Sequence, residues 1–251
     1  FPAAVEMCNN NGECRKRGSG VMCPSYRVTG DEQHVTRGRA NTLRLALTGQ
    51  LGTDALASVE MAETMELCIS CKACRRECPT GVDMARMKIE VLNQYRARHG
   101  IGLRERLFAY LPRYGPYAAT FRGVLNLRDL VPGLPWLSER MLGLGAGRPL
   151  PRWRRPFTDD VPAVAADARG EEVALLVDTF SNYFEPKNAV AAIHVLRAAG
   201  RRVRVVTAAD GGRPLCCGRT FLSAGLVDEA RAEAVRLVRA LVPYVADGTP
   251  V

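Results

Sequence analysis

A run of four closely spaced cysteines carries the clearest chemical signal in this sequence. Residues 68–79 read Cys-Ile-Ser-Cys-Lys-Ala-Cys-Arg-Arg-Glu-Cys-Pro, so thiols stand at Cys68, Cys71, Cys74 and Cys78. The spacing C-x2-C-x2-C-x3-C-P is the one that ligates a [4Fe-4S] cluster. Zinc sites more often pair two C-x2-C units across a longer gap or recruit His. The run therefore predicts an iron–sulfur site.

A second, degenerate run precedes the first. Cys8 and Cys14 occupy its first and third positions, Asn11 stands where the second Cys would be, and Cys23-Pro24 follow after a stretched gap. In proteins with two clusters, the fourth Cys of each run ligates the other cluster. Crossed ligation then makes Cys68, Cys71, Cys74 and Cys23 one complete thiolate set, and leaves a set with one ligand missing: Cys8, Cys14 and Cys78.

Three outcomes remain open for these ligands. In the first, the chain holds one [4Fe-4S] cluster only. In the second, it also holds another cluster, which is of the three-iron type or has a ligand other than Cys. Alternatively, Cys78 completes its own run and Cys23 is structural. Cys8 and Cys14 also fit the role of small buried hydrophobic residues.

The other cysteines bear on the cellular compartment. The chain has 251 residues and nine cysteines, and the two outside these runs are the adjacent pair Cys216 and Cys217. Such clustering in a chain of this length excludes a secreted disulfide scaffold and favours metal ligation in a reducing compartment. We therefore expect a cytoplasmic protein, with peripheral contact to the inner face of the membrane left open. No apolar run reaches the length of a membrane span.

Composition and charge set weaker limits. Apolar residues make up 47% and charged residues 24%, as in ordinary globular proteins. The formal net charge is +9, which raises the alternative of a zinc-structured basic module that binds nucleic acid. The Arg-rich stretch 148–157 would serve it, but that stretch fits an extended linker packed on a neighbouring domain better. We therefore expect no nucleic-acid partner.

The pattern along the chain divides it into three segments. Residues 1–100 are predicted to be helical, with helices over 36–50, 54–67 and from an N-cap at Asp83 to Gly100. Residues 101–170 are rich in Pro and predict a connecting arm with short helices. Residues 171–251 follow a β-α-β-loop-α pattern, with parallel strands at 173–177 and 202–207. The predicted fold is an α-helical ferredoxin-type domain followed by a truncated α/β domain.

Several segments together resemble a known family, and these are Met22–Arg27, Gly30–Glu32, Arg37–Ala40, Cys68–Pro79 and Gly81–Asp83. They are similar to the iron–sulfur half of FAD-linked 2-hydroxyacid dehydrogenases. That group includes the glycolate oxidase iron–sulfur subunit and single-chain proteins of the D-2-hydroxyglutarate or D-lactate dehydrogenase type. Leu215-Cys216-Cys217-Gly218 resembles the cysteine-rich CCG domain of the same family.

The resemblance implies an electron-transfer function. A flavin oxidises a 2-hydroxy acid, and the cluster passes the electrons singly to a quinone or another redox protein. The FAD is expected in a domain or subunit outside this chain, because no Gly-rich dinucleotide motif is present. The family also implies an FAD domain before Phe1 and a second CCG repeat after Val251, so the chain is expected to be a fragment.

Two features stay open under this interpretation. In heterodisulfide-reductase relatives, paired CCG motifs bind an unusual iron–sulfur cluster or a metal, so Cys216 and Cys217 are either ligands or a tight structural turn. A heterodisulfide-reductase-like redox protein, with catalysis at this pair, is the further alternative for the function. Within the first motif, Lys72, Arg75 and Arg76 either stabilise the reduced cluster or are solvated charges.

Overall fold

The computed structural model describes residues 1–18, 20–159 and 170–251, which form two compact units. The first unit comprises residues 1–101 and 222–227, and the second comprises residues 102–221 and 228–251. Part of the predicted connecting arm, residues 160–169 with Pro162, lies outside the described residues.

The first unit is helical, which confirms the prediction of an α-helical domain for this part of the chain. Short 3₁₀ turns at Glu13–Arg15, Glu32–His34 and Ala55–Ala57 separate some of the helices. The helices are α1 (Pro2–Glu6), α2 (Pro24–Thr29), α3 (Thr36–Leu47), α4 (Val59–Glu66), α5 (Ala73–Glu77) and α6 (Met84–His99).

Helix α6 begins and ends where its capping residues predict, and α3 begins at its predicted first residue but ends three residues earlier than predicted. The Asp83 carboxylate accepts a hydrogen bond from the Arg86 N–H at 3.1 Å, which caps α6, and Gly100 follows its last residue with φ +75°. Helix α3 ends at Leu47, and Gly49 takes φ +78° in the turn beyond it. These two helices carry the residues that matter most for the site.

The helix predicted over residues 54–67 is interrupted, which corrects that prediction. Ser58 has extended backbone (ψ 160°), and its hydroxyl accepts from the Met61 N–H at 3.1 Å. A serine in this position is a strong N-cap. It therefore starts α4 as a separate helix after the 3₁₀ turn Ala55–Ala57.

The core of the first unit lies between α3, α4 and α6. Its fully buried side chains include Val35, Leu43, Met65, Met84 and Met87. Gly38 allows α3 to lie directly on the 3₁₀ turn Glu32–His34, because a Cβ at this position would be 1.9 Å from the Glu32 carbonyl oxygen. This close approach leaves no room for a side chain at position 38, which explains why a glycine stands there.

The second unit begins with a helical segment. Its helices are α7 (Leu103–Ala109), α8 (Leu111–Thr120), α9 (Arg122–Asn126) and α10 (Leu134–Leu142). The Pro-rich part of the sequence thus forms the short helices that were predicted. The following stretch has no regular structure, and Trp153 packs on Phe184 with ring centroids 4.6 Å apart.

A small parallel sheet follows and confirms the β-α-β-loop-α pattern. Strands β1 (Glu172–Leu175) and β2 (Arg202–Val205) pair in parallel, with Val173 opposite Val203. The Ala174 N–H on β1 donates to the Pro250 carbonyl at 2.8 Å. The helices of this part are α11 (Thr179–Tyr183), α12 (Pro186–Ala198), α13 (Arg219–Ser223) and α14 (Val227–Ala246). Among the described helices, none has both the length and the apolar character that would let it span a membrane.

Candidate iron–sulfur site

The first cysteine run forms a tight loop with two strained residues. Ser70 and Lys72 adopt left-handed conformations with φ +56° and +59°. Each such residue costs about 1–2 kcal/mol in a non-glycine residue, and strain of this kind concentrates at functional sites. Helix α5 begins directly after Lys72, which places Cys74 in its first turn.

Four cysteines of the first unit line one cavity. Its empty space is about 320 Å³ and is partly open to solvent. The cysteines are Cys23, Cys68, Cys71 and Cys74. Cys78 does not line this cavity. Three of the four cysteines of the first run therefore line the same cavity as Cys23, which is distant in sequence.

The Cys23 thiol lies at the N-terminus of α3. Its Sγ accepts a hydrogen bond from the Thr36 N–H at 3.1 Å and lies 2.8 Å from the Thr36 Oγ1. Burial raises the pKa of Cys23, while the bonds from Thr36 and the charge of Arg39 act to lower it. A helix N-terminus favours negative charge, so this position suits a thiolate ligand.

The Cys74 thiol lies at the N-terminus of α6 in the same way. Its pKa is raised by burial, and a hydrogen bond from the Met84 N–H acts in the opposite direction. Met84 is the first residue of α6. The N-termini of α3 and α6 therefore lie next to two thiols of the cavity, and they come from different parts of the chain.

Cys78 occupies a separate, half-buried position. Burial acts to raise its pKa, but hydrogen bonds from the Thr80 hydroxyl and the N–H groups of Val82, Thr80 and Gly81 bring the pKa below its usual value. The neighbouring Glu77 carboxylate accepts from the N–H groups of Val21 and Met22 at 2.9–3.0 Å. Glu77 therefore ties α5 to the segment that leads into Cys23, a role that the sequence pattern did not reveal.

The degenerate run forms a second loop with buried thiols. Cys8 and Cys14 are both buried, and burial raises the pKa of Cys14 to about 11, with smaller contributions from Cys23 and Cys8. Asn11 is exposed, and its Oδ1 accepts from the Glu13 N–H at 2.9 Å. The Asn therefore shapes the turn at the position where the other run has a thiol.

Cys216 and Cys217 belong to the second unit. Cys216 is buried and Cys217 is exposed. A Cβ at Gly218 would lie 2.5 Å from the Ala230 carbonyl oxygen, and Gly218 has φ +81°. The tight turn therefore requires glycine. Within the described ranges, no three His, Cys, Asp or Glu residues are grouped so that they could hold a single metal ion.

The cavity fits an iron–sulfur cluster better than a single ion. A cubane spreads its four thiolate ligands over several iron atoms, whereas a zinc ion draws its ligands to about 2.3 Å from one centre. The observations that support the fit are the four cysteines that line the cavity, the helix N-terminal amides next to two of them, and a buried guanidinium, that of Arg39, in the cavity wall.

Comparison with known proteins agrees with this chemistry. Residues 4–82 match the 4Fe-4S dicluster domain family. The matched region contains both cysteine runs.

The relatives extend the similarity beyond this domain. The chain is similar to D-2-hydroxyglutarate dehydrogenase of Pseudomonas putida, with 28% identity over 86% of this chain and 26% of the relative. The corresponding enzyme of Escherichia coli is 25% identical over 71% of this chain and 22% of its own length. The glycolate oxidase iron–sulfur subunit of Escherichia coli is 30% identical over 45% of this chain and 28% of its own length. No solved structure matches the chain.

These relatives confirm the resemblance found in the sequence. The chain is homologous to a part of the D-2-hydroxyglutarate dehydrogenases and to the glycolate oxidase iron–sulfur subunit. It spans about a quarter of the length of the dehydrogenases that it matches.

Proposed function

We propose that this chain is the iron–sulfur electron-transfer part of an FAD-dependent 2-hydroxyacid dehydrogenase. The observation that carries the proposal is the cavity that is lined by Cys23, Cys68, Cys71 and Cys74. Its location inside the region that matches the 4Fe-4S dicluster domain family and the similarity to the dehydrogenases support the assignment.

The proposed ligands of the first cluster are these four cysteines. A [4Fe-4S] cluster accepts and releases one electron at a time, which a flavin that takes two electrons from its substrate requires. Cys23 and Cys74 hold their sulfur atoms against the amides of Thr36 and Met84. Such amide hydrogen bonds stabilise thiolate charge and tune the site from its surroundings.

Cys8, Cys14 and Cys78 are the proposed ligands of a second site. The loop that follows Cys78 lies close to the start of the degenerate run, because a Cβ at Gly81 would be 3.8 Å from the Cε of Met7, the residue before Cys8. With Asn11 engaged in a turn, this site has three thiols. A three-iron cluster, or a fourth ligand other than Cys, fits that count.

The rest of the reaction lies outside this chain. We propose that an FAD domain or subunit oxidises a D-2-hydroxy acid such as D-2-hydroxyglutarate, and that a quinone or another redox protein takes the electrons in the cytoplasm or at its membrane surface. Residues 1–100 act as the cluster domain, 101–170 as the arm, and 171–251 as the first half of a CCG domain. Cys216 and Cys217 then complete a site only with the second half.

The metal content of the full chain tests this proposal. After anaerobic purification we expect about four irons and four sulfides for each four-iron cluster, with absorbance of iron–sulfur type. Electron paramagnetic resonance (EPR) of the oxidised and reduced protein then identifies a three-iron or second four-iron cluster. A colourless protein with stoichiometric zinc and no iron would overturn the proposal and favour the zinc-structured module.

A second experiment tests the substrate. When the complete dehydrogenase is mixed anaerobically with D-2-hydroxyglutarate, D-lactate or glycolate, the matching substrate is expected to bleach the cluster absorbance. If none of the three reduces the cluster while dithionite does, the 2-hydroxyacid assignment is wrong and the cluster assignment stands.

A further inference from the structure

A buried cation lies in the wall of the thiol-lined cavity. Arg39, one turn into α3, has 1% of its surface exposed. Its Nε donates to the Thr64 carbonyl at 2.9 Å, its Nη1 to the His34 carbonyl at 2.8 Å, and its Nη2 to the Ser25 hydroxyl at 3.3 Å. All of these acceptors are neutral.

Burying a guanidinium whose hydrogen-bond acceptors are all neutral destabilises the folded state. Burial lowers the pKa of Arg39, while the thiolate charges of Cys68, Cys23 and Cys74 act to raise it. Arg stays protonated in proteins, so the positive charge persists inside the domain. A buried charge without compensation destabilises a fold. The negative charge that faces Arg39 comes from the thiols of the cavity.

A second cation reaches the same region from α6. The half-buried Lys88 donates its Nζ to the Cys68 carbonyl at 2.7 Å and to the Glu66 carbonyl at 3.0 Å. Burial lowers the pKa of Lys88, and the charge of Cys68 is the largest influence that acts to raise it. Lys88 thus bonds directly to the backbone of one of the proposed ligands.

The cations inside the cysteine motif are arranged differently. Lys72 is half exposed and pairs with the Asp83 carboxylate at 3.0 Å. Arg75 and Arg76 are exposed. Water and the ion pair screen these charges, whereas charges in the interior act through a lower effective dielectric constant.

We infer that Arg39 and Lys88 are the counter-charges of the cluster held by Cys23, Cys68, Cys71 and Cys74, and that they raise its midpoint potential. The inference rests on the proposed function of that cavity. Reduction adds one electron to a centre that already carries net negative charge. Two nearby cations stabilise the reduced form more than the oxidised form, so both favour reduction.

The test is an anaerobic redox titration of the full chain, followed by EPR at one fixed pH. Arg39→Gln and Lys88→Met are expected to lower the midpoint potential of this cluster while iron and sulfide per chain stay at the wild-type level. Arg39→Lys, which keeps the charge, is expected to restore most of the potential. Arg76→Gln serves as the control that removes an exposed charge of the motif and is expected to leave the potential unchanged.

The outcomes separate this inference from the proposed function. Wild-type potentials in iron-loaded Arg39→Gln and Lys88→Met proteins would overturn the inference and leave the cluster assignment standing. A wild-type chain that binds no iron would overturn the proposed function first. If Arg39→Gln fails to fold, Lys88→Met decides: a lowered potential supports the inference, and an unchanged one contradicts it.

Discussion

The two cysteine loops, residues 8–14 and 68–74, share a backbone conformation although they differ in their ligands. Asn10 and Ser70 occupy equivalent positions with φ +63° and +56°, and Gly12 and Lys72 follow with φ +78° and +59°. A helical turn begins directly after Gly12 in one loop and after Lys72 in the other. The backbone shape of the loop therefore does not require a thiol at its middle position, because one loop has Asn11 where the other has Cys71.

The two loops hold this shape by different means. In loop 8–14, the Asn11 side chain accepts from the Glu13 N–H, and the left-handed positions hold Asn10 and Gly12, residue types that tolerate this conformation. In loop 68–74, Ser70 and Lys72 take that conformation, and Lys72 is tied to Asp83 at 3.0 Å. Loop 68–74 therefore stores more strain, which the ligands of a cluster would offset.

The largest expected difference between the loops is in metal content. Cys74→Ala is expected to remove about four irons per chain, because the first cluster loses a ligand at its buried corner. Cys14→Ala is the matched variant in the other loop and is expected to keep those four irons. Iron and sulfide assays with EPR measure both. Equal losses in the two variants would show that the loops do not serve separate sites.

A second variant disrupts the packing of α3, whose N-terminus lies next to Cys23 and Cys14. The Thr36 N–H donates to the Cys23 Sγ at 3.1 Å, and the Arg37 N–H acts to lower the pKa of Cys14. Gly38→Ala would force a Cβ against the Glu32 carbonyl, which lies 1.9 Å away, and is expected to cost about 2–3 kcal/mol. The loss of stability is measured as the difference in the free energy of unfolding in urea between the variant and the wild-type chain. Gly123→Ala is the control, because no atom lies within 4 Å of its Cβ, and an equal loss there would contradict the packing argument.

A third variant converts one loop toward the other. Asn11→Cys places a thiol at the position equivalent to Cys71 and is expected to convert a three-iron EPR signal into that of a four-iron cluster, a gain of about one iron. Asn11→Ala is the control and is expected to cost about 1 kcal/mol through the lost turn bond. If Asn11→Cys leaves both the iron count and the EPR spectrum unchanged, the second site is not formed by this loop.

The smallest expected effects come from the left-handed positions. In the metal-free chain, Gly12→Ala is expected to lower the free energy of unfolding by about 1 kcal/mol. Lys72→Gly is expected to raise the free energy of unfolding by a similar amount, reduced by the small contribution of the lost ion pair with Asp83. Urea unfolding of the two variants measures the strain in each loop. Destabilisation by Lys72→Gly would show that the ion pair outweighs the backbone strain.

Much of this architecture was accessible from the sequence because it depends on local rules. Asp83 and Gly100 bound α6 through capping, and the cysteine spacing marks the loop. Ser58 was missed because its capping role competes with an otherwise continuous helical pattern. Arg39 and Lys88 were missed for another reason. They lie outside the motif, and only the packing of α3 and α6 against the loop brings their charges to the cavity.

The composition of the ligand set is the central claim, and Cys23→Ala compared with Cys78→Ala tests it most directly. Both variants are purified anaerobically as full chains and examined by EPR with iron and sulfide analysis. We predict that Cys23→Ala loses or alters the [4Fe-4S] signal of the cavity and that Cys78→Ala retains it. Loss of that signal in Cys78→Ala, with an unchanged signal in Cys23→Ala, would contradict the claim.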